Sequence, residues 1–290
     1  MPLTQESANQ VTEAFYDGAD MVPQKYKDAF QYRDDDVPSI REAAVYGVTA
    51  LEEWPSGDLP QARLHTLGSK AINYVEFGLQ LRIRKRHVKD NPMYLRDGVA
   101  ALGRAVENTK AMIAAVVLNG AFTTATCIPG SKPLYATDHP TKGGVRVNKL
   151  ATVADLAGIF AAHALARNWV DYDDVPFDLA DLGWNIIHPT AAGLEQMIGQ
   201  AIGSSVTSDQ NQVNLASSYN LTQIPFSRIT DATHTHMWSK AIKPGVWWDR
   251  DSIEETMEAD EDSREVKISV DGAWACYLRG QPTGAIGFDS

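Results

Sequence analysis

Apolar residues recur along residues 92–120 at the spacing of an α-helix. They follow one another at steps of three, four or seven residues, which places them in one stripe on the helix surface. The members of this stripe are Leu95, Val99, Leu102, Val106, Ile113 and Val117. Asn91 and Pro92 suit the N-cap and first helical positions, and Gly120 suits the end. At about 1.5 Å per residue, the predicted helix is about 40 Å long, which is the size of a structural spine.

The residues before this helix alternate with the period of a β-strand. Apolar residues at the odd positions 79–83 alternate with polar residues at the even positions 80–84. The pattern predicts a strand that carries Arg82 and Arg84 on one face. Residues 57–91 as a whole are predicted to form a long two-stranded excursion that is too polar to bury itself. Because a lone hairpin is marginal in water, we expect it to lie on a partner.

Three further elements are predicted in the middle of the chain. Thr152 and Asp155 match a capping box, which opens a helix through about residue 168. Residues 184–187 are typical of a short buried strand, and the next helix begins around residues 189–190. The residues of that helix that we expect to point inward are Leu194, Met197 and Ile198.

Two extended runs follow near the C-terminal end, on either side of residues 249–265. This stretch holds nine acids against two arginines and is predicted to be an acidic turn. Asp271 and Gly272 are expected either to close a tight hairpin or to mark a bulge. Helices and strands are intermixed along the chain without a regular βαβ repeat, so the predicted fold class is α+β.

Charge is distributed unevenly along the 290 residues, whose formal net charge is −11. Residues 1–56 hold eleven acids against four bases and show weak periodicity. Two interpretations of this region remain: an extended arm with short helical pieces, or a solvated tail. Residues 82–89 are the opposite extreme, with five cations in eight positions. Such a stretch can bind nucleic acid, but a pI near 5.1 argues against a dedicated DNA or RNA binder.

Three histidines suggest a metal site, and the surrounding sequence does not support it. His139, His234 and His236 are the candidate ligands of a metal-dependent hydrolase, but no HExxH or paired-cysteine pattern accompanies them. His163 lies on the apolar face of the predicted helix at 152–168, which favours a hydrogen-bonded core histidine. The sequence also contains no nucleophile elbow and no phosphate-binding loop. We therefore expect no enzyme activity, no metal and no cofactor.

Cysteine usage and hydropathy bear on the compartment. Cys127 and Cys276 fit no paired spacing, and two buried free thiols in a reducing cytosol are favoured over one disulfide. The longest apolar run, residues 111–118, is shorter than the roughly 20 residues that span a membrane. The N-terminal residues lack the basic and apolar regions of a secretory signal.

The order of these elements resembles that of a tailed-bacteriophage major capsid protein of the Hong Kong 97 type. An acidic arm, an excursion with a basic strand and a long helix ending in "LNGAF" (118–122) come first. The segment "PLYATDHP" (133–140), a second helix, a strand–proline–helix unit and the acidic closing runs follow. The sequences "PLYATDHP" and "LNGAF" are similar to those of major head subunits of the Mu-like branch. The resemblance covers essentially the whole chain.

This resemblance implies a division of the chain into five parts. It assigns 1–56 to an N-terminal arm, 57–92 to an extended E-loop, 93–180 to the peripheral domain with the spine helix, 181–250 to the axial domain and 251–290 to the returning strands of the peripheral domain. It also implies hexamers and pentamers that form an icosahedral shell around double-stranded DNA, without sequence-specific binding. An encapsulin-like nanocompartment that houses an enzyme cargo is the alternative within the same fold.

The resemblance further implies partners and a location. A separate scaffold and a portal are expected partners, with decoration proteins as a further option, and no membrane is expected. The location would be the virion capsid, assembled in the cytoplasm of a bacterial host. No residue pattern matches a covalent crosslink between subunits, so none is predicted.

Contacts between subunits are the candidate functional site. Within that implied assembly, the cations Arg82, Arg84 and Arg86 are hypothesised to pair with acids on an adjacent subunit. The candidate acids are Asp34, Asp35, Asp36, Glu254 and Glu255, from the run at 34–36 and the run at 254–262. Exposed pairs contribute roughly 0–1 kcal/mol each, but repetition over a shell makes their sum matter.

Overall fold

A computed structural model describes residues 5–34, 37–46, 64–128, 130–203, 214–260 and 264–290. It is a mixed α+β structure. The helices are α1 Gln5–Asp20, α2 Lys25–Ala29, α3 Lys85–Asp90, α4 Pro92–Gly120, α5 Leu156–Arg167 and α6 Ala192–Gly203. The strands are β1 Gln31–Asp34, β2 Ile40–Tyr46, β3 His65–Ile72, β4 Val75–Arg84, β5 His139–Pro140, β6 Val145–Arg146, β7 Lys149–Leu150, β8 Trp184–His188, β9 Leu221–Pro225, β10 His234–Ser239, β11 Gly245–Asp260, β12 Glu265–Leu278 and β13 Ala285–Asp289.

The main sheet has the strand order β1-β11-β12-β4, and α4 packs across one of its faces. Its centre is the long antiparallel pair of β11 and β12, with β1 parallel to β11 and β4 antiparallel to β12. The apolar stripe of α4 meets the inward residues of β12, and both belong to the largest hydrophobic cluster. Buried members of this cluster include Val99, Leu102, Leu118, Trp247, Val266, Ile268 and Val270.

The predicted spine helix is confirmed, together with its start. The side chain of Asn91 accepts a hydrogen bond of 3.1 Å from the backbone N–H of Met93, and Pro92 occupies the first helical position. This cap satisfies one of the N–H groups that the first turn leaves without a helical partner. None of the helices in the described ranges is both long and apolar enough to cross a membrane.

The N-terminal region contains a regular helix that packs on the spine. Within the described part of 1–56, α1 buries Val11, Ala14 and Phe15 against α4. The solvated-tail alternative is therefore wrong for this part. Two glycines set the crossing, because a Cβ at Gly18 would overlap the carbonyl of Ala100 and one at Gly103 would overlap that of Phe15.

Replacing Gly103 by alanine should lower the free energy of unfolding by about 1–3 kcal/mol, because the added methyl forces α1 away from α4. Gly193 in α6 is the matched control, since nothing lies within 4 Å of a Cβ built there. Gly193→Ala should leave stability unchanged or slightly higher. Denaturant unfolding of both variants measures the difference, and equal stability would contradict the close crossing.

The second sheet has the order β7-β13-β10-β8-β9 and carries α5 and α6. The predicted buried strand is confirmed as β8, all five of whose residues are buried. Its neighbour α6 begins at Ala192, and Leu194 and Ile198 point inward as predicted. Met197 does not, since 40% of it is exposed.

The helix predicted from the capping box at 152–155 forms three residues later than expected. Asp155, rather than Thr152, is the N-cap of α5, and its side chain accepts a hydrogen bond of 2.8 Å from Gly158 N–H. A carboxylate at this position can cap a first turn as well as a hydroxyl can, so the sequence pattern left the start ambiguous.

The predicted two-stranded excursion does not pair with itself. Strand β3 pairs with β2, and β4 is the edge strand of the main sheet. Residues 57–63 lie outside the described residues. The strand pattern at 79–84 was right, but β4 pairs with β12, which lies nearly 200 residues further along the chain, and local alternation does not identify such a partner.

The predicted acidic turn is also wrong in part. Residues 249–260 continue β11, and residues 261–263 lie outside the described residues. Asp271 and Gly272 lie inside β12, not in a hairpin turn. Two register shifts in β11 face this point, so the bulge alternative was the right one.

Candidate assembly interface

Strand β4 presents its cations on the outer face of the main sheet. Phe77, Leu81 and Ile83 turn toward α4 and pack on the core, while Arg82 and Arg84 are exposed on the opposite face. Arg82 Nε donates a 2.7 Å hydrogen bond to Gln80 Oε1. Within the described residues, neither arginine forms an ion pair. Both charges are therefore available to a partner.

Arg86 has a different environment. It lies in the short helix α3, where its Nε is 3.7 Å from Asp90 Oδ2, four residues along. Both side chains are largely exposed, so solvent screens the pair. The third cation is thus partly neutralised by its own chain, as the other two are not.

The register brings acids of the same chain onto the arginine face. Glu265 of β12 lies directly opposite Arg84, and Lys267 lies opposite Arg82. Glu258 of β11 faces Lys267 from the other side. Acids and bases of three strands therefore share one outer surface, although Lys267 and Arg82, which carry the same charge, lie opposite each other. Glu258 belongs to the acidic run at 254–262 that the sequence offered, but Glu265 was missed, because only the pairing of β12 with β4 places it opposite Arg84.

The proposed partner acids are dispersed. Asp34 ends β1, at the opposite edge of the sheet from β4, so it can meet Arg82 only in another copy. Asp35 and Asp36 lie outside the described residues. Glu254 is at the register position opposite Asp271, whereas Glu255 is opposite Val270, on the face that packs on α4. Glu255 is half-buried and is therefore poorly placed to meet an arginine on the outer face.

A buried ion pair fastens α4 to the sheet behind this surface. Lys110 Nζ lies 3.2 Å from Asp249 Oδ2, and both side chains are about 95% buried. Tyr32 O–H donates a 2.8 Å hydrogen bond to the same carboxylate oxygen. Burial, then the bond to Asp249, raises the pKa of Tyr32 well above its usual range. The phenol therefore stays protonated and available as a donor.

A second buried carboxylate lies one turn away. Tyr26 O–H donates a 3.0 Å hydrogen bond to Glu107 Oε2, and burial followed by the Glu107 charge raises the pKa of Tyr26. Sequence reasoning missed both contacts. The available signal was Lys110, which lies four residues after Val106 on the apolar stripe of α4, where a charge requires a partner.

The histidines of the metal hypothesis have other contacts. His236 is fully buried, and its Nδ1 is 3.0 Å from Tyr135 Oη, which also accepts a 2.6 Å bond from the Trp238 indole N–H. The Tyr135 hydroxyl and the imidazole thus share one hydrogen bond, whose donor depends on the tautomer of His236. Burial, with a smaller effect of His234, lowers the pKa of His236 to about 3.

The other histidines are also engaged. His139 is buried, with Nε2 3.1 Å from the carbonyl of Leu134, and His234 stacks on Phe122 with ring centroids 4.0 Å apart. His163 is buried and stacks on Tyr219 at 3.7 Å, so its main contact is a ring. In the described part of the chain, no three His, Cys, Asp or Glu residues are grouped to hold a metal ion.

Both cysteines are free thiols. Cys127 is buried, and burial raises the pKa of its thiol to about 11. The group is therefore protonated at neutral pH and is a poor nucleophile. Cys276 is half-buried, and burial raises its pKa as well.

Comparison of sequences and of structures gives contrasting results. No family model and no curated protein matches the sequence. Solved structures do match, over almost the whole chain. A chain in the head of Helicobacter pylori bacteriophage KHP40 is 12% identical with a TM-score of 0.56, and the match covers 92% of this chain and 90% of that one.

Two other structures extend this likeness. The procapsid of bacteriophage JBD30 matches with 13% identity and a TM-score of 0.52, over 100% of this chain and 76% of that one. A virus-like particle from Pyrococcus furiosus matches with 9% identity and a TM-score of 0.52, over 97% and 98%. At these identities the likeness is one of fold, and the chain has the α+β fold of Hong Kong 97-type phage capsid proteins.

Proposed function

We propose that the chain is the major subunit of a phage head, which assembles as hexamers and pentamers into an icosahedral shell around double-stranded DNA. The observation that carries the proposal is the match of nearly the full chain to phage head and capsid subunits. The function consists of geometry and repeated contacts, without catalytic turnover. Closed symmetric shells are built from such repeated contacts.

The distribution of charge on the main sheet supports assembly by unlike edges. Arg82 and Arg84 lie at the β4 edge, and Asp34 lies at the β1 edge. A contact between unlike edges is heterologous, and such contacts close into rings when the rotation permits. The five-part division at 1–56, 57–92, 93–180, 181–250 and 251–290 is part of this proposal.

The remaining roles follow from the same proposal. The shell encloses DNA without reading its sequence and forms in the cytoplasm of a bacterial host, with a separate scaffold and a portal as partners. Membership of the Mu-like branch rests on the amino-acid sequence of residues 118–122 and 133–140 and stays a prediction.

A nanocompartment shell that holds a protein cargo is the second candidate. The match to the virus-like particle over 97% of the chain favours it. The contents of shells purified from the native source separate the two functions. Nuclease-protected DNA supports the phage head, whereas a stoichiometric enzyme in the interior supports the compartment.

Negative-stain microscopy of the expressed protein tests the shared claim. Uniform shells, tubes or rings of capsomers are the expected result. A small monomer that persists at high concentration would overturn the proposal of a shell subunit.

Replacing Arg82, Arg84 and Arg86 together by glutamate should lower the yield of shells roughly tenfold or more. Three exposed pairs at about 0.5 kcal/mol each amount to a tenfold weaker contact between subunits. The triple replacement by lysine is the matched control, since it keeps the charges and should assemble. Normal assembly of the glutamate variant would show that these cations do not join subunits.

A further inference from the structure

A lysine-lined cleft lies between the N-terminal segment and the second sheet. The cleft holds a cavity of about 390 Å³, bordered by α2, the edge strand β9 and the connection from β10 to β11. Four lysines line it, namely Lys25, Lys27, Lys240 and Lys243. Asp28 is the one acid in its lining. On a chain of net charge −11, the cleft is a local concentration of positive charge.

Two of these ammonium groups are fixed in place by the fold. Lys243 Nζ donates to the carbonyls of Asp28 at 2.7 Å and Phe30 at 3.1 Å, which anchors the end of α2. Lys240 Nζ donates to the carbonyl and side-chain oxygens of Asn220, both at 2.9 Å. Neutral oxygens orient these charges without cancelling them. Among the described residues, no ion pair includes any of the four lysines.

Such an arrangement is costly for the chain by itself. Partial burial removes water that would otherwise solvate the ammonium groups. The cost appears at Lys240 and Lys243, whose pKa values burial lowers from the usual range. An anion in the cleft would offset this cost, because it would pair with the ammonium groups.

We infer that this cleft binds backbone phosphates of nucleic acid. Lysine is depleted from the apolar cores of protein–protein interfaces, whereas nucleic-acid interfaces are polar and strongly positive. The lining also contains the polar side chains of Asn185, Thr222 and Gln223, together with Ile224 and Pro225, and is thus mainly polar, as in the second class. The choice of nucleic acid as the source of phosphate rests on the proposed function. The excess of acid elsewhere keeps such binding weak.

Binding of a 20-base-pair DNA duplex to the full, unassembled chain tests the inference, by fluorescence anisotropy over a series of salt concentrations. The expected Kd is about 10⁻⁴–10⁻⁶ M at physiological salt, with a logarithmic salt slope near −0.9 for each phosphate engaged. The double variant Lys25→Gln and Lys27→Gln should weaken binding at least fivefold and reduce the slope by about 2. Neither lysine is anchored to the fold by a side-chain hydrogen bond to another described residue.

The double variant Lys85→Gln and Lys89→Gln is the matched control, since it removes the same charge from α3. It should keep the affinity of the wild-type chain. Loss of binding in this variant, with none in the lysine variant of the cleft, would move the phosphate site to α3 and overturn the inference. If the wild-type chain binds pyrophosphate but not the duplex, the cleft is a site for free phosphate, and the inference is overturned as well.

Microscopy of the same variants separates this inference from the proposed function. The lysine variant should form shells like the wild-type chain while losing affinity for DNA. Failure of the wild-type chain to form shells counts against the proposed function alone. A third outcome is that the wild-type chain forms shells but does not bind duplex, and that the lysine variant forms no shells. This result would assign the cleft to carboxylates of a second copy and reject nucleic acid.

Discussion

Replacing Lys110 by methionine should lower the free energy of unfolding by about 3–5 kcal/mol. The substitution leaves the Asp249 carboxylate about 95% buried without its cation, and an uncompensated buried charge is strongly destabilising. Tyr32 still donates a hydrogen bond to this carboxylate, which stabilises part of its charge. Urea unfolding of the unassembled subunit measures the change.

Arg96→Met is the matched control for this prediction. Arg96 Nη2 lies 3.3 Å from Asp17 Oδ2, but both side chains are more than half exposed. Loss of this pair should therefore cost less than about 1 kcal/mol. The combined variant with Lys110→Met and Asp249→Asn should cost less than the sum of the two single changes. A cost for Lys110→Met as small as that of the control would contradict the buried pair.

Acid should destabilise the subunit through its buried histidines, and His236 should contribute most. Burial lowers the pKa of His236 to about 3 from the ordinary 6.5. Between these values the unfolded chain binds a proton that the folded chain excludes, so stability falls as the pH falls from 6.5 toward 3. The slope is about 1.4 kcal/mol per pH unit at most, or roughly 3 kcal/mol between pH 6.5 and 4.

The variant His236→Gln should show a flatter pH dependence, since an amide does not titrate and can donate a hydrogen bond to Tyr135 or accept one from it. Unfolding free energies from pH 4 to 7 measure the difference from the wild-type chain. Burial also lowers the pKa of His139 and His188, so some acid sensitivity should remain. Parallel curves for the variant and the wild-type chain would contradict the exclusion of a proton from the folded state.

The buried contacts behind these two predictions were missed at the level of sequence, for the same physical reason. Lys110 and Asp249 are 139 residues apart, and Tyr135 and His236 are 101 residues apart. Each pair exists because two separate elements pack, and no local pattern states which partner an element will meet. The four lysines of the cleft are likewise divided between residues 25–27 and 240–243.

Sequence by itself determined the elements whose causes are local. The spine helix follows from a 3.6-residue apolar period with Asn91 and Pro92 at its start. The cationic face of β4 follows from strict alternation between Leu79 and Arg84. The order of such elements was also enough to anticipate the Hong Kong 97-type fold.

Only the tertiary structure decided which strands pair, because pairing forms between residues far apart in the chain. It made β4 an edge strand against β12, placed Glu265 opposite Arg84 and put Asp34 at the far edge of the same sheet. The basic stretch, already interpreted from the sequence as a contact between subunits, was thereby placed at one edge of the main sheet. The positive cleft assigned here to phosphate was formed instead by lysines that carry no signal in the sequence.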